Sequence, residues 1–167
     1  ITPTSGTVGI QITAYGNGYV PGTITIKFGN KFNVINSPNG INANGSFTVS
    51  FTVDTQVYGS TTVDARDGQN HSDADVYTIL SHITQVVPMT GTVGSVVFVR
   101  GDGYGTTEQI RIGFGTNNTI TTVVAGLDGS FSNAVFTVDI QPSGTVTVTA
   151  AGLLDQSMHV DTDEYRI

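Results

Sequence analysis

The chain has 167 residues, 38% of them hydrophobic and only 11% charged, and six Lys and Arg against 13 Asp and Glu give a net charge of −7. That balance repels phosphate backbones and anionic lipid surfaces, which argues against nucleic acid as a partner, and no apolar run approaches the roughly 20 residues of a membrane span. Cysteine is absent, so disulfide staples, thiolate metal sites and thiol nucleophiles are excluded together.

The chain opens on Pro3 followed by Ser5-Gly6-Thr7-Val8-Gly9, then a Gly16-Asn17-Gly18-Tyr19 corner and an apolar run, Ile24 to Phe28, ending at Gly29. Asn44-Gly45 reads as a tight turn into a strand in which Phe47, Val49, Phe51 and Val53 alternate with Ser and Thr. That period of two places one face in a core and the other in water. His71-Ser72-Asp73-Ala74-Asp75-Val76-Tyr77-Thr78-Ile79 closes the series as a last strand, and 81–85 reads as a linker.

From there the pattern returns at a shift of roughly 85 residues, the mark of an internal repeat. Pro88 and Thr90-Gly91-Thr92-Val93-Gly94 match the opening, Gly101 to Tyr104 the corner, and Ile110 to Gly115 the apolar run. Asp128-Gly129-Ser130-Phe131 matches the turn, and His159 to Ile167 the last strand. The second repeat has one extra residue between Phe131 and Phe136, so a β-bulge is needed to keep both rings on one face. Turn residues at intervals of about ten, with no amphipathic helical stretch, predict an all-β fold of two tandem immunoglobulin-like sandwiches, 1–80 and 86–167.

The opening Ile1-Thr2-Pro3-x-Ser-Gly-x-x-Gly segment, the Gly-x-Gly-Tyr corner, the strand ending Phe28-Gly29 and the Asn44 to Phe47 hairpin together resemble the TIG-type (IPT/TIG) immunoglobulin-like repeats of bacterial and archaeal surface proteins. The resemblance implies an extracellular or cell-surface location and a role as a stalk or surface-layer module. It says little about activity, since sandwich folds host many functions.

Candidate sites are few. Alternation places His71, Asp73 and Asp75 on one strand face, and likewise His159, Asp161 and Asp163, where a hard cation such as calcium could bridge the carboxylates with help from Asp64, Asp67 and Asn70. The same parity carries Tyr77 and Ile79, so a strand with a solvated start and a buried end explains the pattern equally well. Most aromatic residues pair between the repeats and read as core; only Tyr15, Phe32, Tyr58 and Phe98 lack an aromatic counterpart and could serve a sugar-binding platform. No nucleophile or metalloprotease motif occurs, and the chain reads as a non-enzyme. Sequons stand at Asn44, Asn70 and Asn117, of which Asn70 and Asn117 are the better glycan acceptors. A start at Ile1 without Met is expected of a processed chain.

The exposed strand positions are rich in Thr, Ser, Asn and Gly and poor in charge, which favours burial against other subunits. The expectation is a structural subunit of an extracellular homopolymer, a filament or surface layer, with copies in head-to-tail contact. The terminal stretches Ile1, Thr2, Pro3 and Thr4, and Tyr165 and Ile167, are the candidate contacts. The alternative is an adhesin fragment or a pair of carbohydrate-binding modules.

Overall fold

The structure, a computed structural model, describes residues 1–154 and 159–167. These residues hold strands and turns and no helix, and they divide into two compact units. The first comprises Ile1–Asp54 with Gly59–Ile79, and the second Thr55–Tyr58 with Leu80–Ile167.

In the first unit the strands are β1 (Ser5–Gly6), β2 (Gln11–Gly16), β3 (Gly22–Phe28), β4 (Lys31–Ile41), β5 (Phe47–Thr52), β6 (Gly59–Asp67) and β7 (Ser72–Ile79). Their order is β1-β7-β6-β3-β4-β5-β2, with β1 parallel to β7 and the rest antiparallel. Only the Ile41–Phe47 pair joins β4 to β5, so the β5–β2 ribbon turns over the other strands at that point. Between the layers lies a core of Ile12, Ile24, Ile26, Phe28, Phe51 and Tyr77 with their neighbours.

The second unit has β8 (His82–Val87), β9 (Val96–Asp102), β10 (Gln109–Phe114), β11 (Asn117–Val124), β12 (Phe131–Thr137), β13 (Thr145–Gly152) and β14 (Val160–Arg166). They form a four-stranded sheet, β11-β10-β13-β14, and a three-stranded sheet, β12-β9-β8. That division of strands is the immunoglobulin-like one, and the first unit repeats it with its two sheets joined. One sequence expectation is corrected here. The presumed linker 81–85 lies mostly in β8, which hydrogen-bonds along β9 and buries Ile83 and Val86 in the second core. Its short mix of polar and apolar residues is a strand with one wet face.

The bulge required by the extra residue is present: Phe131 pairs with Gly101 and Ala134 with Val99, so three steps on β12 match two on β9. The aromatic packing is duplicated. Phe28 meets Phe51 at 5.4 Å and Tyr77 at 5.8 Å between ring centroids; Phe114 meets Phe136 at 5.1 Å and Tyr165 at 5.4 Å. The edge-on pair Tyr19–Phe47 at 5.2 Å returns as Tyr104–Phe131 at 5.3 Å.

The Ser/Thr-Gly of the opening motif has a packing cause in both units. A Cβ at Gly6 would stand 2.6 Å from the Tyr77 hydroxyl, and one at Gly91 would strike the Tyr165 hydroxyl. Glycine there lets the last-strand tyrosine reach across the sandwich.

Candidate functional site

Two of the residues expected to bind a cation, His71 and His159, are each drawn into a carboxylate knot. In the first unit Asp67, at the end of β6, is 4% exposed. It accepts the backbone N–H groups of Val20 at 3.0 Å, Gln69 at 2.8 Å and His71 at 2.9 Å. His71 Nδ1 stands 2.8 Å from the same carboxylate, where it serves as a donor. Burial pushes the Asp67 carboxyl up, but the four hydrogen bonds, from Val20 and the His71 ring first, outweigh it and hold the group down at about 2.

The second unit makes the equivalent knot from another strand. Glu108, fully buried just before β10, accepts from Gly105 N–H at 2.6 Å and Leu154 N–H at 3.0 Å, with His159 Nδ1 3.1 Å away. Val20 and Gly105 both follow the corner tyrosine, and His71 and His159 are repeat partners. The carboxylate alone has moved. In the strand pairing Asp67 stands opposite Ile24 and Gly152 opposite the matching Ile110, so Gly152 is the counterpart of Asp67, and Gly22 that of Glu108. A Cβ at Gly152 would collide with the Glu108 carboxylate, which fills the space a side chain would take.

The remaining expected ligands are scattered. Asp161 accepts from Ile83 N–H at 2.7 Å and lies 3.1 Å from His82 Nδ1, while Asp163 accepts from Glu164 N–H at 2.7 Å. Asp73 accepts from Ala74 N–H at 2.9 Å. Asp75 accepts from Val76 N–H at 2.8 Å and from the Ile1 amino group at 3.2 Å, and its carboxyl is lowered first by the Val76 bond. Each His is paired with an acid, His71 and His159 with the buried Asp67 and Glu108 and His82 with the half-buried Asp161, and among the described residues no group of three or more His, Asp or Glu comes together to hold a metal. The calcium expectation therefore has no ligand cluster here.

The expected contact residues are tied within their own units. Thr2 exchanges two hydrogen bonds of 2.9 Å with Thr13, Thr4 O accepts from Thr78 N–H at 3.0 Å, and Ile167 exchanges bonds with Gly144. Tyr165 is 1% exposed, so its ring belongs to the core and is not presented to a neighbour.

Two of the four unmatched aromatics, Phe98 and Phe32, each mark a surface, one on each unit. On the second unit Phe98 stands directly between Val135 of β12 and Val87 of β8, and all three are exposed, Phe98 by 50%. On the first unit Phe32 is 75% exposed, with Lys27 Nζ 4.5 Å from its ring centre, beside a groove of about 260 Å³ lined by Thr25, Lys27, Asp64 and Arg66. Tyr15 is exposed as well, while Tyr58 lies with its ring centre 3.5 Å from that of His159.

No family model matches the sequence, and no curated protein matches it. Among solved structures the chain is similar to the adhesin InvE of Yersinia pseudotuberculosis, at 13% identity over 99% of this chain and 57% of that one, with a TM-score of 0.39. It is also similar to a tetra-tandem repeat from the extending region of a large adhesion protein, at 20% identity over 95% of this chain and 45% of that one, with a TM-score of 0.37. The D0-D1 domain of intimin is a third, at 17% identity over 98% and 95% of the two chains, with a TM-score of 0.34. The chain thus spans about half the length of the first two. At these identities and scores the likenesses carry nothing about binding or assembly.

Proposed function

We propose that this chain is a non-catalytic structural module of the cell surface, a subunit of an extracellular homopolymer that assembles through contacts between Ig-like domains. The observation that supports this is the stripe Val87–Phe98–Val135 across three strands of the second unit. The repeat supplies its own control. The matching positions in the first unit are Thr2, Thr13 and Ser50, whose Thr13 and Ser50 hydroxyls hydrogen-bond at 3.0 Å. A sheet face that only meets water is served by Thr and Ser; three apolar side chains in register favour a covered face. Sedimentation velocity and electron microscopy across a concentration series test the reading. Native chain should associate, and Phe98→Thr should weaken association tenfold or more with an unchanged melting temperature. A native chain that stays monomeric at high concentration defeats it.

The groove beside Phe32 favours a second reading, an adhesin fragment or carbohydrate-binding module. An exposed ring next to Lys27, Asp64 and Arg66 offers a stacking surface with donors and an acceptor. Its repeat counterpart is Asn118, so the second unit lacks the ring. Glycan-array binding lost in Phe32→Ala would support this reading over assembly. Of the two glycan acceptors, Asn70 is the better placed, in an exposed turn, since the Asn117 amide already donates to Asp139 at 3.1 Å.

A further inference from the structure

Strand parity builds the groove beside Phe32. On β3 the side chains of Ile24, Ile26 and Phe28 enter the first core, so Thr25 and Lys27 point to the outer face; on β6 Val63, Ala65 and Asp67 are buried, so Asp64 and Arg66 share that face. The pairing sets Arg66 opposite Thr25 and Asp64 opposite Lys27. Lys27 and Arg66 are therefore diagonal neighbours, with backbones roughly 7–8 Å apart, and their long side chains reach one small anion together. Among the described residues neither cation forms an ion pair, although Asp64 lies across from Lys27. The second unit has no such site. There Arg111 faces Ala151 and Gly113 faces Thr149, at the places of Thr25 with Arg66 and of Lys27 with Asp64. A Cβ at Gly113 would stand 3.3 Å from the carbonyl oxygens of Asn117 and Asn118, so the irregular start of β11 closes down on β10. Lys27 puts a side chain at that point, and β4, with the same shift of register, stands off from it and carries Phe32 at the lip of the groove.

We propose that this groove binds an acidic sugar residue, a pyranose bearing a carboxylate or a sulfate. Lys27 Nζ covers one face of the Phe32 ring, yet the residue is 75% exposed, so the other face is open to the C–H face of a pyranose. The anionic substituent lies between the Lys27 ammonium and the Arg66 guanidinium, whose planar fork matches two oxygens of a carboxylate or sulfate. Asp64 accepts from the sugar hydroxyls, and Thr25 adds a hydroxyl of its own. Charge decides between acidic and neutral sugars. Two cations against one carboxylate leave the groove positive on a chain of net charge −7. A neutral sugar takes water from both cations and returns no counter-charge, whereas an acidic one supplies the missing partner. At about 260 Å³ the groove is smaller than the roughly 300–1,000 Å³ of sites for drug-sized ligands, which suits one residue of a longer glycan.

This rests on the carbohydrate-binding reading and names its ligand class, and the test separates the two. The whole chain is titrated by calorimetry in about 0.15 M salt, which screens long-range attraction. The probes are a hexamer of galacturonic acid, the same hexamer fully methyl-esterified, and dextran oligomers with and without sulfate. Saturable binding of an acidic probe is expected, tenfold or more tighter than its neutral twin, and the acidic probe that binds tells carboxylate from sulfate. Lys27→Gln, Arg66→Gln and Phe32→Ala should each weaken it tenfold or more with the melting temperature unchanged. Arg111→Gln, at the second unit's counterpart of Thr25, should leave it unaltered. Equal losses in Arg66→Gln and Arg111→Gln, or full binding by Phe32→Ala, would reduce the effect to diffuse charge and overturn the proposal. Neutral and acidic probes bound equally, with both lost in Phe32→Ala, overturn it and leave the carbohydrate reading standing. No binding of any of the four overturns it too, and the glycan array then decides the broader reading.

Discussion

In the first unit the corner after Tyr19 is tied down by a carboxylate from the end of β6, whereas in the second the corner after Tyr104 is tied by one that precedes β10. The donors are otherwise matched: an N–H just past the corner, an N–H from the loop before the last strand, and a histidine ring. The pairs Gly22/Asp67 and Glu108/Gly152 are thus two solutions to one problem. What is retained is a buried negative charge at a fixed point in space, reached by a short side chain from one strand or a longer one from its neighbour. A corner that leaves several N–H groups pointing inward needs an acceptor, and leaving them unpaired costs more than the choice of residue that serves them.

The sharpest way to break this comparison is to give the second unit both carboxylates. Gly152→Asp places a second buried acid against Glu108, and the expected loss is at least about 3 kcal/mol, the scale of an uncompensated buried charge. Adding Glu108→Gly to that variant rebuilds the first unit's solution in the second and should recover most of the loss in a thermal melt. Failure of the double variant to recover would show that the two knots are not interchangeable. The reverse exchange is not expected to be as clean. Gly22 has φ of +133°, a backbone conformation that Glu there would adopt only with strain.

Much of the architecture was legible because it rests on short-range rules. Alternation gave the strands, the repeat paired Phe28 with Phe114, and the residue count between Phe131 and Phe136 required the bulge that β12 shows. The site was not legible in the same way. His71-x-Asp73-x-Asp75 invited a cation because parity put those residues on one face, but the partner that captures each histidine stands at a different sequence position in each unit. An alignment that matches Asp67 with Gly152 reads as a lost acid; only the strand pairing, which brings Glu108 across from β10, shows the acid replaced. β8 was missed for a related reason, since a single inward pair, Ile83 and Val86, with a shift of register between them leaves no clean alternation.

Acid separates the units next, with a smaller effect. Asp67 titrates at about 2 in the folded first unit against 3.8 for a free carboxyl, so its stabilisation is complete above about pH 4 and is lost as pH falls towards 2. Asp102 in the second unit is shifted the other way: burial raises it, with His82 lowering and Asp128 raising it less. Its contribution therefore grows as pH falls through its folded pKa to 3.8. Melts recorded from pH 5 to 2 should show the first unit losing ground, and Asp67→Asn should flatten its slope over that window. An unchanged slope in the variant would mean that other carboxyls carry the acid response.

The smallest expected effect concerns a feature the units share. The Tyr77 and Tyr165 hydroxyls are buried against Gly6 and Gly91, and neither has a hydrogen-bond partner among the described residues. A buried hydroxyl without a partner gives up its hydration and receives nothing in return, while the ring beneath it still packs edge-on against Phe28 or Phe114. Tyr77→Phe and Tyr165→Phe keep that packing and remove the uncompensated group, so each should be neutral or stabilising by up to about 1 kcal/mol. The result should be the same in both units, because the glycine, the hydroxyl and the ring beneath it are all duplicated. Chemical denaturation of each variant checks this, read as a shift in midpoint at constant slope. A loss in one unit only would reveal a partner for that hydroxyl, and with it a difference between the repeats deeper than the exchange of carboxylates.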